Sequence, residues 1–201
     1  MWFGELFQSL RTFLSIPIPK EIRDKITRMI HPLKIADSNR IVRWTNPDQL
    51  HLTLVFMGSV EKDELILLRQ SLERLANEWE AFEMKVRGWG GFPTGRHPRV
   101  IWVGVDGERD RLRELQSRIV ETVKGTGDHQ GKNHFSPHLT LGRIKKPDPG
   151  FSVQWAQFCE KNPILNCSPW KVTTFHLMQS ELQSTGAIHR TVASFEWGST
   201  N

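Results

Sequence analysis

One tetrapeptide occurs twice without change, as His51-Leu52-Thr53-Leu54 and as His138-Leu139-Thr140-Leu141. Each copy sits in a strand-like run, residues 51–57 ending at Gly58 and residues 137–144. Side chains alternate faces along a strand. The two leucines of each copy therefore anchor a core, while the histidine and threonine share the opposite, accessible face. A lone His-x-Thr is a common accident. A second identical copy in a matching strand of the other half points to two related lobes whose His-Thr faces meet across one groove.

Two imidazoles facing each other suit a particular chemistry. Histidine titrates near 6.5, so one ring can be neutral while its partner is protonated. That is what paired general base and general acid catalysis requires. In-line displacement at phosphorus places those groups on opposite sides of a phosphate, and the hydroxyls of Thr53 and Thr140 can hold its non-bridging oxygens. A strained cyclic phosphodiester needs little else, so no metal is demanded. No HExxH occurs, no carboxylate stands at ligand spacing from either copy, and His129 and His134 lie in a loop without acids or cysteines arranged around them.

Hydrophobic periodicity supplies the frame. Strands are expected at residues 12–19, 41–44, 51–57, 82–89, 99–105, 137–144, 170–178 and 188–195. Helices are expected from Glu21 (Ile22, Ile26, Met29, Leu33), after Ser59 (Leu65, Leu68, Leu72, Leu75, Trp79), around Leu112, Leu115, Ile119 and Val123, and at 153–160. Gly58 is read as a strand end, and Gly88, Gly90, Gly91 and Pro93 as breaks. The mixture of strands and helices, with a strand-then-long-helix unit in both halves, predicts an α+β body of two intertwined lobes. Met1 to Leu10 carries an apolar stripe (Trp2, Phe3, Leu6, Phe7, Leu10) without a basic leader or a continuous apolar run. Residues 1–11 are therefore read as a helical extension and 12–201 as a single bilobal domain. Neither a signal peptide nor a membrane span is expected.

The net charge is +5, from 27 lysines and arginines against 22 acids, which favours an anionic partner. The two cysteines, Cys159 and Cys167, form no CxxC pair, as expected of free thiols in a cytoplasmic protein.

The paired motifs resemble the two-histidine (2H) phosphoesterase superfamily, in particular its RNA 2′,3′-cyclic phosphodiesterase branch, historically named 2′-5′ RNA ligases. The likeness runs through Val42-Arg43-Trp44, residues 50–58, Gly91-Phe92-Pro93, residues 98–105, and Phe135-Ser136-Pro137-His138 to Arg143. It continues in residues 177–182 with Gly186-Ala187, in family order. It implies a bilobal fold of two pseudo-symmetric antiparallel sheets lining a central groove, with helices on the outer faces. It also implies hydrolysis of a 2′,3′-cyclic phosphate to a 2′-phosphomonoester without cofactor, with weak 2′-5′ ligation as the reverse.

The same resemblance makes His51 the acid and His138 the base, an order that a near-symmetric site allows to be exchanged. It gives Thr53, Thr140 and Arg143 to the phosphate, although strict alternation from His138 turns Arg143 toward the core side unless the strand bends at Gly142. Arg43, Trp44, Phe92 and His189 are candidates for base or RNA contacts, with Trp89, Arg96 and Arg99 as weaker ones. Many relatives have tyrosine where this chain has His189, and no tyrosine is present at all. The expected partners are RNA with cyclic phosphate ends, tRNA fragments among them, or cyclic nucleotides. The protein is expected to be monomeric, without stable membrane association. The competing readings are an RNA-end binding protein without turnover and a 2H phosphodiesterase for a small cyclic nucleotide.

Overall fold

The computed structural model describes residues 9–95, 97–128, 135–163, 165, 167–183 and 186–198. The chain runs β1 (Leu10–Pro17), α1 (Lys20–Ala36), β2 (Val42–Trp44), β3 (His51–Val60), α2 (Lys62–Asn77), β4 (Phe82–Phe92) and β5 (Val100–Gly107). It continues with α3 (Arg109–Thr122), β6 (His138–Ile144), α4 (Pro149–Lys161), β7 (Trp170–Val172), β8 (Thr174–Gln183) and β9 (Gly186–Glu196). The strands form one curled antiparallel sheet in the order β7-β4-β5-β6-β3-β1-β8-β9, with β2 paired to β6.

Two half-sheets meet at a narrow seam. β3 and β6 share a single paired position, Leu52 opposite Leu139. Both leucines are wholly buried, so the anchor residues of the two HLTL copies join the halves. The halves are also interleaved in sequence, since β4 pairs with β5 and β8 returns to pair with β1. This is the pseudo-symmetric bilobal arrangement that the duplicated tetrapeptide implied.

α1 buries Ile22, Ile26, Ile30 and Leu33, with Ile30 in place of the expected Met29, which is only partly buried, and α2 buries the expected Leu65, Leu68, Leu72 and Leu75. α3 buries the expected Leu112, Leu115 and Ile119, and α4 buries Phe151, Trp155 and Phe158. Burying such aliphatic side chains contributes roughly 1.5–3 kcal/mol each. α2 begins later than Ser59 suggested, because Glu61 and Glu64 form a reciprocal capping box that starts the helix at Lys62.

Several expected boundaries differ. β1 begins at Leu10, so Leu10 and Arg11 belong to the sheet and pair with Val60 and Ser59. The helix expected before them falls largely on residues 1–8, outside the described residues. β3 passes through Gly58, which adopts φ +73° and packs closely on Asp128, whose Oδ2 accepts from Ser59 N at 3.1 Å. β4 likewise continues through Gly88, Gly90 and Gly91. A Cβ on Gly90 would lie 2.3 Å from the Trp102 indole, so this glycine marks a close approach rather than a strand end. The expected strand at 170–178 is divided at Thr173 into β7 and β8, which join opposite halves of the sheet.

Candidate active site

His51 and Thr53 leave β3, and His138 and Thr140 leave β6, on the face opposite the seam leucines. All four line one groove of ≈ 530 Å³ between the half-sheets. Each imidazole is held in the same way. The Nδ1 of His51 lies 2.7 Å from the carbonyl oxygen of Gln49, and the Nδ1 of His138 lies 2.7 Å from that of Ser136. A carbonyl only accepts, so Nδ1 carries the hydrogen in both rings and Nε2 is left for a ligand. The chain thus uses its own backbone, two residues upstream, to set matched tautomers.

A second repeated feature brings Arg143 into the groove. In β1–β3 pairing, Leu14 faces Val55 and Ser15 faces Thr53, leaving Leu54 as an extra residue. In β5–β6 pairing, Ile101 faces Gly142 and Trp102 faces Thr140, leaving Leu141 as the extra one. One inserted residue reverses the alternation beyond it. Leu54-Val55 and Leu141-Gly142 are therefore consecutive buried pairs, and the next residues, Phe56 and Arg143, return to the histidine side. The expectation from strict alternation fails because of this bulge, and Arg143 lines the groove.

The surroundings of the two rings differ. His51 packs against Phe13 at 4.9 Å between centroids and stands perpendicular to His189 at 5.3 Å. His138 stands edge-on to Phe92 at 5.0 Å, with Trp102 at 6.2 Å. Burial pushes the His51 ring down to about 4, opposed by the Gln49 hydrogen bond and reinforced by the neighbouring His189 and His138. Burial lowers His138 as well, with a smaller contribution from the Arg143 charge. Both rings are therefore held toward the neutral form at pH 7.

Arg11, Arg43 and Arg143 line the groove, and among the described residues no carboxylate does. The other candidates divide. His189 lines the groove, and its buried Nδ1 has no partner. Phe92 buttresses the His138 ring and the Trp102 indole. Trp44 donates from Nε1 to Asp37 at 3.1 Å and packs edge-on to Phe151. Trp89 belongs to the helix-covered core: it donates to the Asn162 carbonyl and packs on Trp155 and Phe158. Arg99 lies exposed at the start of β5, away from the groove lining, and Arg96 is outside the described residues. Phe56, 60% exposed, was missed by the sequence reading, although comparing the two copies at their sixth residue would have found it. Arg11 was missed because it was assigned to the extension.

A family model described as the 2′-5′ RNA ligase superfamily matches residues 22–183. The chain belongs to the 2′-5′ RNA ligase superfamily. The matched stretch takes in both HLTL copies and ends in β8. Relatives named RNA 2′,3′-cyclic phosphodiesterase include one from Archaeoglobus fulgidus, 29% identical, with 93% of this chain and 100% of the relative covered. Another, from Methanothermobacter thermautotrophicus, is 30% identical, with 92% and 98% covered. Among solved structures, a Thermus thermophilus protein superposes with TM-score 0.77 at 26% identity, covering 96% of this chain and all of that one. Escherichia coli LigT complexed with 3′-AMP shares the fold, with TM-score 0.70 at 22% identity and 94% and 99% covered. Among the described residues no helix is long and apolar enough to cross a membrane, and no group of three His, Cys, Asp or Glu side chains could hold a metal ion.

Proposed function

We propose that this protein hydrolyses the 2′,3′-cyclic phosphate at RNA ends to a 2′-phosphomonoester, with His51 and His138 as its acid–base pair. One observation carries the reading: two imidazoles with matched tautomers line a single groove together with the Thr53 and Thr140 hydroxyls and Arg143. The names of the superfamily relatives support the same substrate. The steps balance without a cofactor. One neutral Nε2 takes a proton from water as the oxygen attacks phosphorus. The P–O3′ bond breaks, and the other ring, protonated at Nε2, gives its proton to O3′. The Thr53 and Thr140 hydroxyls and the Arg143 guanidinium face the charge that grows on the non-bridging oxygens, and such prearranged donors are a large catalytic term. Phe56 offers a base-stacking surface on the opposite wall. With the 5′-hydroxyl of a second RNA strand in place of water, the same displacement joins O5′ to phosphorus, breaks the P–O3′ bond and frees the 3′-hydroxyl, which is the weak 2′-5′ ligation.

The resemblance places the acid at His51. Its burial favours the reverse order, because His138 is the ring that takes up a proton more readily when an anion binds. A substrate with sulfur at the bridging 3′ position separates the two, since a thiolate leaves without protonation. It restores turnover to the variant lacking the acid and not to the variant lacking the base.

The deciding experiment is product analysis on RNA ending in a 2′,3′-cyclic phosphate, with EDTA present. A 2′-phosphate product, lost in His51→Ala and His138→Ala, supports the reading. A 3′-phosphate product, or binding without turnover, overturns it.

A further inference from the structure

Beside Arg143, which faces the reacting phosphate, lies a second cation that the hydrolysis of one cyclic phosphate does not use. Arg43 on β2 and Arg143 on β6 are directly opposed across the ladder, so both side chains leave the same face. Like charges in that position destabilise a strand pair. Among the described residues, none of the ion pairs involves either arginine, nor Arg11. The strand that carries Arg43 is only three residues long, yet it is firmly held. The buried Asp37 carboxylate accepts from Ile41 N at 2.7 Å, Val42 N at 3.0 Å and Trp44 Nε1 at 3.1 Å, on both sides of Arg43 in sequence. A pinned strand that presents a second cation beside the first, with no counter-ion for either, is arranged for an anion from outside.

The space in front of the pair extends the catalytic groove away from the two histidines. A cavity of ≈ 490 Å³ is lined by Arg43, Arg143, Trp44, Thr45, Asn46 and Gln49, with Ala187 to His189 of β9 opposite. None of His51, His138, Thr53 or Thr140 reaches it. Arg43, Thr45, Gln49, Arg143, Ala187 and His189 also line the catalytic groove, so the two spaces are continuous. We infer that Arg43, set beside Arg143, opens a second phosphate subsite that takes the phosphodiester next to the reacting cyclic phosphate, so that an oligoribonucleotide end gains a contact that a free cyclic mononucleotide lacks. This inference rests on the hydrolase reading above.

The test compares two substrates, a short oligoribonucleotide ending in a 2′,3′-cyclic phosphate and the corresponding nucleoside 2′,3′-cyclic monophosphate. Wild-type kcat/KM is expected to favour the oligonucleotide. Arg43→Gln should lower its kcat/KM about tenfold more than that of the mononucleotide and reduce the salt dependence by about one phosphate contact. Arg43→Lys should recover part of both. An equal loss on the two substrates would place Arg43 at the reacting phosphate and overturn the subsite, as would no loss on the oligonucleotide. Equilibrium binding of the same oligonucleotide keeps the readings apart. Arg43-dependent binding without turnover removes the hydrolase alone, whereas binding indifferent to Arg43→Gln removes the subsite.

Discussion

The two halves of the groove are alike for four residues and then part. β3 and β6 each present a histidine, bury a leucine, present a threonine and bulge at the next leucine, so that the sixth residue returns to the groove. At that residue one half has Phe56 and the other Arg143. The rings differ too: His51 is enclosed by Phe13 and His189, while His138 lies near the Arg143 charge. Duplication supplies a matched pair of imidazoles. The departures from symmetry set an aromatic ring, Phe56, across from the Arg43 and Arg143 guanidiniums, and hence a direction in which an asymmetric substrate can lie.

The largest test of this comparison removes what the halves share. His51→Ala and His138→Ala should each lower kcat/KM about 10²–10⁴-fold on RNA with a cyclic phosphate end. The double variant should be little worse than either, because an acid–base pair acts as a unit. A fully additive loss would mean that the rings work separately. Next come the residues in which the halves differ. Arg143→Gln should cost about 10²-fold, mainly in kcat, if its charge faces the transition state. Phe56→Ala should raise KM roughly tenfold with kcat little changed, the scale of one lost base–aromatic stack. If both variants changed the same kinetic parameter, the proposed division between walls would be wrong.

The pH dependence sharpens the contrast. One ring must be neutral and the other charged, and both are depressed below the ordinary histidine value. The bell-shaped profile of kcat/KM should therefore peak below pH 6.5, and that of kcat should shift upward because a bound anion favours the protonated ring. A flat profile from pH 5 to 9 counts against the pair. The smallest effect is on stability. Below pH 6.5 the unfolded chain takes up a proton that the folded His51 refuses until about 4, so stability falls across that window as pH falls. Chemical denaturation of His51→Asn between pH 7 and 4 should show a shallower fall than wild type, and His138→Asn a smaller change.

Much of this was legible in the chain. The helical stripes on α1 to α3 and the repeated HLTL follow from periods of 3.6 and 2, which each residue type expresses locally. Other features were not. The bulges at Leu54 and Leu141 add a single residue that no periodicity announces, and they alone bring Arg143 and Phe56 round to the groove. Gly90 reads as a breaker in sequence, yet it is a strand residue because the Trp102 indole lies over it. His189 stands beside His51 because β9 folds back on β8 and β8 pairs with β1, a path that connects residues far apart in the chain.

The amino-acid order by itself therefore determined which side chains are the candidates for the chemistry and which strands present them, because alternation and repetition are local properties. Register between distant strands decided the rest: the single seam at Leu52 and Leu139, the opposed Arg43 and Arg143, and the burial that separates His51 from His138. Pairing depends on the packing of the whole sheet, and no short stretch of sequence contains that information.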